Sequence, residues 1–272
     1  MSAPAPPAQA SRRPGQAAFG WAGSPWMRAA GTAAVVLAVA AGLFAALRPV
    51  QVLPRLGPVA PFELVDHRGQ AFLSHRRGRT VLYAVGAARE QRHTPATLEL
   101  LVRLSRLLEQ QGWLGSQAEL AFVTVDPEHD RPEQLPQLLG QRTGGVRSAG
   151  QAGQGVPDSA ITWLGGTPAA VKLAVGAGLG VYFELPVPGQ GQIREQTPQQ
   201  AQAQASGLRF VFDPALVLVD PQGVVRGRWR VTDPGVSAGR LFTQMASVIR
   251  EAQATGVQRW VYEGAHLFLC RP

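Results

Sequence analysis

The sequence predicts an α/β domain carried behind one apolar segment of membrane length, and three observations lead there. Short β-branched runs alternate with stretches of helical spacing; one run, Leu120 to Val125, ends in an Asp126-Pro127 turn followed by a helix-start pattern; and Ala29 to Leu47 carries no charge. Of the 272 residues, roughly 200 remain for a globular core once the amino-terminal region is set aside, which suits one domain.

Residues 1–28 are rich in Ala, Pro and Gly and carry Arg12, Arg13 and Arg28, so they read as a disordered cytoplasmic tail. The run 29–47 would reach about 28 Å as a helix, close to the hydrocarbon thickness of a bilayer. It is also longer than the apolar core of a cleavable signal, so an uncleaved transmembrane anchor is expected. The arginines before it place the amino terminus in the cytoplasm and the domain on the extracytoplasmic, periplasmic side of the inner membrane. Residues 48–60, with Pro and Gly, read as a linker.

The domain is expected over 61–256. Phe62 to Asp66 alternates as a strand, His67-Arg68-Gly69-Gln70 is a turn and Ala71 to Leu73 the returning strand. Thr80 to Gly86 is a buried strand, and leucines at 98, 101, 104, 107 and 108 define a helix over 95–111 that Gly112 stops. The strand 120–125 follows. Asp130 then stands before Arg131-Pro132-Glu133 as the cap of a helix starting near 131. A helix from Thr167-Pro168 to Gly176 and a strand over 180–184 continue the alternation. The strand 215–220, a turn at Pro221-Gln222-Gly223, a strand 224–231 and a helix 236–255 close it. Residues 143–159 and 186–207, rich in Gly, Gln and Ser, read as loop insertions, and 257–272 as a tail. This order is that of a thioredoxin-like domain.

Net charge is +8. The arginines are scattered, so a nucleic-acid partner is not expected, and the alternating Arg226, Arg228 and Arg230 read as the solvated face of a strand. Cys270 is the only cysteine, so no internal disulfide can form. There is no GxSxG elbow, no HExxH and no phosphate-cradling loop, and no thiol redox pair, so an enzyme is not expected.

In this setting the chain resembles the Sco/SenC family, membrane-anchored thioredoxin-fold proteins that deliver copper to cytochrome c oxidase. The resemblance spans roughly 58–255 and rests on Pro61-Phe62-Glu63-Leu64 with Gly69, the strand to Gly86, Thr94-Pro95-Ala96-Thr97-Leu98, the run Val123-Thr124-Val125-Asp126-Pro127-Glu128-His129-Asp130, Leu164-Gly165-Gly166-Thr167 and Val219-Asp220-Pro221-Gln222-Gly223. It implies two copper-binding cysteines in a CxxxC spacing and one histidine. Aligned on Pro95 and Leu98, the cysteine positions hold Glu90 and Thr94; counted back from Asp220-Pro221, the histidine position holds Phe212. Neither copper binding nor thiol–disulfide exchange is therefore expected, and no cofactor is predicted.

The resulting expectation is a non-catalytic assembly or scaffold factor for a respiratory oxidase, with the membrane and oxidase subunits or assembly factors as partners. Two alternatives stand beside it. One is a metal carrier with a non-cysteine site, in which Glu90 and His93, spaced i, i+3 on one helical face, are joined by Asp213 or His129. The other is a membrane-tethered binding module, unrelated to oxidases, that uses the loop 186–207.

Overall fold

The computed structural model describes residues 25–47, 52–74, 78–137, 160–184 and 211–269, and the chain divides into two units at Val50. The tail 1–24, Arg76 and Arg77, the insertions 143–159 and 186–207, and Cys270 lie outside the described residues.

In the first unit, helix α1 (Pro25–Leu47) covers the apolar run. Among the described residues no helix is long and apolar enough to cross a membrane. The span expected over 29–47 is thus met by a helix only.

The second unit is built on strands β1 (Gly57–Pro58), β2 (Glu63–Asp66), β3 (Ala71–Leu73) and β4 (Thr80–Gly86), then helix α2 (Thr94–Gln110) and strands β5 (Ala118–Thr124) and β6 (Thr162–Gly165). Helix α3 (Pro168–Lys172) continues into a π-helical stretch, Leu173–Gly178. Strands β7 (Phe183–Glu184), β8 (Val211–Phe212), β9 (Ala215–Val219) and β10 (Val224–Arg230) lead to helices α4 (Ala238–Gln253) and α5 (Val257–Leu269). Eight strands form one sheet in the order β1-β10-β9-β4-β5-β6-β2-β3, with β4, β5 and β6 parallel and the rest antiparallel to their neighbours, while β7 pairs with β8. This is the thioredoxin-like arrangement expected from the sequence.

The continuous apolar runs of β4, β5 and β9 follow from burial on both faces of the sheet. Side-chain alternation sends Leu82, Ala84, Leu120, Phe122, Leu216 and Leu218 to the face covered by α2 and α4. Tyr83, Val85, Ala121, Val123 and Val217 go to the other, under Phe62, Phe72 and the α3 segment. Leu98, Leu101, Leu104 and Leu108 of α2 are all buried, as their spacing predicts.

Several expectations are corrected. The linker contributes β1: Leu56 and Val59 donate to Val225 and Gly223 across the sheet edge, a place that tolerates Pro58. Strand β6 was not separable in the sequence because its pairing partners, β5 and β2, are remote. The segment after 256, expected as a tail, is helix α5 through Leu269. The arginines of β10 do not form one solvated face. A bulge between Val225 and Gly227 turns Arg226 inward, where it is 2% exposed. There it donates to Asp220 (3.2 Å), Glu251 (2.6 Å) and the Leu53 carbonyl (2.8 Å). The Asp220 carboxylate also accepts from the amides of Gln222 and Val224, and this closes the β9–β10 turn around Gly223 at φ +80°.

Candidate functional site

Strands β4 and β5 run parallel with Gly86 opposite Thr124, so the loops leaving their carboxyl ends lie side by side. In open α/β sheets ligand sites collect at such ends. The β4 loop supplies Ala88, Arg89 and Glu90, and the β5 loop supplies Asp126, His129 and Asp130.

Asp130 ties the two loops together. Its Oδ2 accepts from the Ala88 amide at 2.7 Å and from the Thr124 hydroxyl at 2.8 Å, and the residue is 1% exposed. It is therefore no helix cap. Residues 132–134 form a turn and helical geometry begins only at Leu135. Burial pushes the Asp130 carboxyl above the usual carboxylate range, against the two hydrogen bonds, and the neighbouring Asp126 adds to the rise.

Arg89 clasps Asp126, donating to Oδ2 from Nε at 3.1 Å and from Nη2 at 2.7 Å. Nδ1 of His129 lies 2.8 Å from Asp126 Oδ1 and 3.0 Å from Arg89 Nη2. The Asp126 carboxylate is buried, whereas the Arg89 and His129 side chains are 37% and 44% exposed. Glu128 is exposed beside them. The arrangement presents a guanidinium and an imidazole, held in place by a buried carboxylate, at the rim of the sheet. Such an exposed guanidinium and imidazole can hydrogen-bond an anionic or polar group brought to the rim.

Glu90 and His93 do not share a helical face, since both precede α2. The Glu90 carboxylate folds over the helix start and accepts from the amides of Arg92 (2.7 Å), His93 (2.8 Å) and Thr94 (2.7 Å), the last two being donors that a helix leaves without partners. A negative charge there also suits the helix dipole. Thr94, 2% exposed, accepts from the Ala87 amide through its hydroxyl at 3.4 Å. Phe212 pairs with Phe183 between β8 and β7 and packs against the core. Asp213, the other proposed ligand, is ion-paired with Arg230 at 3.1 Å. Among the described residues no group of three His, Cys, Asp or Glu is placed to hold a metal ion.

The residues at the three aligned positions do not fit Cu(I). A carboxylate bonded to three amides, a buried hydroxyl and a phenyl ring offer it no soft donor. Arg89 went unrecognised in the sequence because nothing local links it to Asp126, 37 residues away.

Replacing Glu90 with Ala is expected to destabilise the domain by about 0.5–2 kcal/mol, the usual range for a lost helix cap. Urea unfolding followed by circular dichroism measures this, and an unchanged midpoint would mean that the amides are satisfied without the carboxylate.

A family profile described as SCO1/SenC matches residues 55–234. Among solved structures, that of a SCO1/SenC family lipoprotein from Bacillus anthracis is 14% identical, with a TM-score of 0.51 over 72% of this chain and 96% of that one. Yeast Sco1 with copper bound is 18% identical, with a TM-score of 0.50 over 75% and 93%. BsSco, a member of the Sco family of cytochrome c oxidase assembly proteins for which a disulfide switch has been identified, is 14% identical, with a TM-score of 0.50 over 74% and 98%. At these identities the likeness is one of fold. No curated protein matches the chain in sequence.

Proposed function

This chain belongs to the SCO1/SenC family, and from that membership we propose that it is a membrane-anchored, extracytoplasmic factor in the biogenesis of a respiratory cytochrome c oxidase, acting as a non-catalytic scaffold. The observation that carries the reading is the structural use of all three positions aligned with copper ligands. Glu90 caps α2, Thr94 is buried against Ala87, and Phe212 packs on the core. Function left to such a domain is protein–protein contact, for which the half-exposed Arg89 and His129 beside Glu128 form a polar edge.

The anchor is proposed from the 19 uncharged residues of 29–47 and the arginines before them, which also support a cytoplasmic amino terminus. A carrier using Glu90 and His93 would have to strip Glu90 of three amide hydrogen bonds, each costly to leave unmade in a buried setting. That reading is set aside.

Recovery of the full chain from detergent-solubilised native membranes, with bound proteins identified and copper and zinc determined on the same sample, tests the proposal. Oxidase subunits or assembly factors without stoichiometric metal are the expected result. Near one equivalent of metal overturns the scaffold reading, and normal oxidase assembly and haem spectra in a deletion strain overturn the link to oxidases.

A further inference from the structure

We propose that α5 lies on the membrane surface, with Val257 and Trp260 seated among the lipid headgroups, so that the domain is held at a fixed height and orientation above the bilayer. The inference rests on the anchored reading and goes beyond it.

Helix α5 lies beyond residue 234, where the family match ends. It is fastened to the domain on one side: His266 Nε2 lies 2.9 Å from Glu251 Oε1, and the His266 side chain is 10% exposed. Glu263 binds Arg55 through both carboxylate oxygens, at 3.1 and 3.3 Å. The other side has no such cover. Val257 is 79% and Trp260 80% exposed, one helical turn apart, while Arg259 stands on the opposite, domain-facing side of the helix with Glu263. A large aromatic and an aliphatic on one face of an amphipathic helix, with charged residues on the other, form the pattern that settles at headgroup depth.

Chain length selects a bilayer over other occupants. Arg55, which α5 grips, follows Leu47 by eight residues, and eight extended residues reach at most about 29 Å. A helix fastened to the polypeptide at that distance from its exit from the membrane stays within reach of the interface. Leu56, beside Arg55, is itself 51% exposed. Without Arg12, Arg13 and Arg28 of the amino-terminal tail, the chain still carries 23 basic against 18 acidic residues, a net +5 that adds attraction to anionic lipid.

The test uses the full chain with Cys270→Ser and Trp260→Cys, reconstituted into phosphatidylcholine–phosphatidylglycerol vesicles and labelled at 260 with a polarity-sensitive fluorophore. A second version carries the label at Glu128→Cys, at the carboxyl end of β5. The expected result is blue-shifted emission at 260, quenched by nitroxide lipid at the headgroup boundary, with the label at 128 unquenched. Val257→Glu should reverse the effect at 260. Solvent-like emission at 260 in protein that resists alkaline carbonate overturns the inference and leaves the anchor standing. Equal quenching at both positions indicates indiscriminate adsorption and also overturns it. Protection of 260 only when membrane proteins are present assigns the face to a protein partner instead. Release of the chain by carbonate removes the anchored reading and this inference with it.

Discussion

Arg226→Met is expected to lower the stability of the domain by about 3–5 kcal/mol, the range for removing one partner of a buried ion pair. Arg226 stands in the β10 bulge between two carboxylates, Asp220 and Glu251, whose side chains are 4% and 9% exposed. Methionine fills comparable space but leaves both charges without their main partner and the Leu53 carbonyl without its donor. Because Arg226 joins the linker, the β9–β10 turn and α4, the damage should spread. Arg55 and α5 should loosen first, since both bind Glu251.

The same variant should change the response to acid. Burial pushes the Glu251 carboxyl up, yet hydrogen bonds from Arg226 and His266 outweigh it and hold the group below the usual carboxylate range. A depressed carboxylate contributes stability that is full at neutral pH and is lost as pH falls through its folded-state value. Without Arg226 the depression shrinks, so stability should fall less steeply between neutral pH and the acid range. Urea titrations of both proteins at several pH values measure the loss and its slope. A deficit under about 1 kcal/mol at neutral pH would place Arg226 among ordinary surface pairs.

Phe122→Ala is expected to cost about 3–5 kcal/mol. The ring is fully buried, and its centroid lies 5.4 Å from that of Trp163. It also occupies the space a side chain at Gly86 would need: a Cβ there would stand 2.7 Å from the ring's tip and 3.1 Å from the Thr94 hydroxyl. Gly86→Ala alone should therefore destabilise by about 1–3 kcal/mol through overpacking. In a Phe122→Leu background the clash is relieved, and the cost of Gly86→Ala should drop. Additive costs in the double-mutant cycle would show that ring and glycine do not share the space. Gly86 precedes the loop that holds Arg89 and Glu90, so this packing also sets where the rim begins.

Strands β4, β5 and β9 and helix α2 were legible in the sequence because their burial is dictated by local pattern. An unbroken apolar run has no polar face to expose, and leucines recurring near every third or fourth position must share one helical side. The departure from the family's CxxxC was legible too, because it is a matter of residue identity at a spacing. Roles set by contacts were not. Asp130 stands before Arg131-Pro132 like a helix cap but bonds the loop after β4, 42 residues earlier in the chain, at Ala88. Glu90 and His93 looked like a ligand pair, yet the helix starts after them and uses the Glu90 carboxylate as its cap. Arg226 alternates with Arg228 as an exposed residue would, until a bulge shifts the register and buries it. Alternation and composition by themselves determined the α/β domain, its covered sheet and the missing thiols, since these depend on hydrophobicity and chemistry carried within each segment. Only the tertiary structure decided the Arg89–Asp126–His129 rim, the Arg226 network and the docking of α5, because each joins residues far apart in the chain whose pairing no local signal encodes.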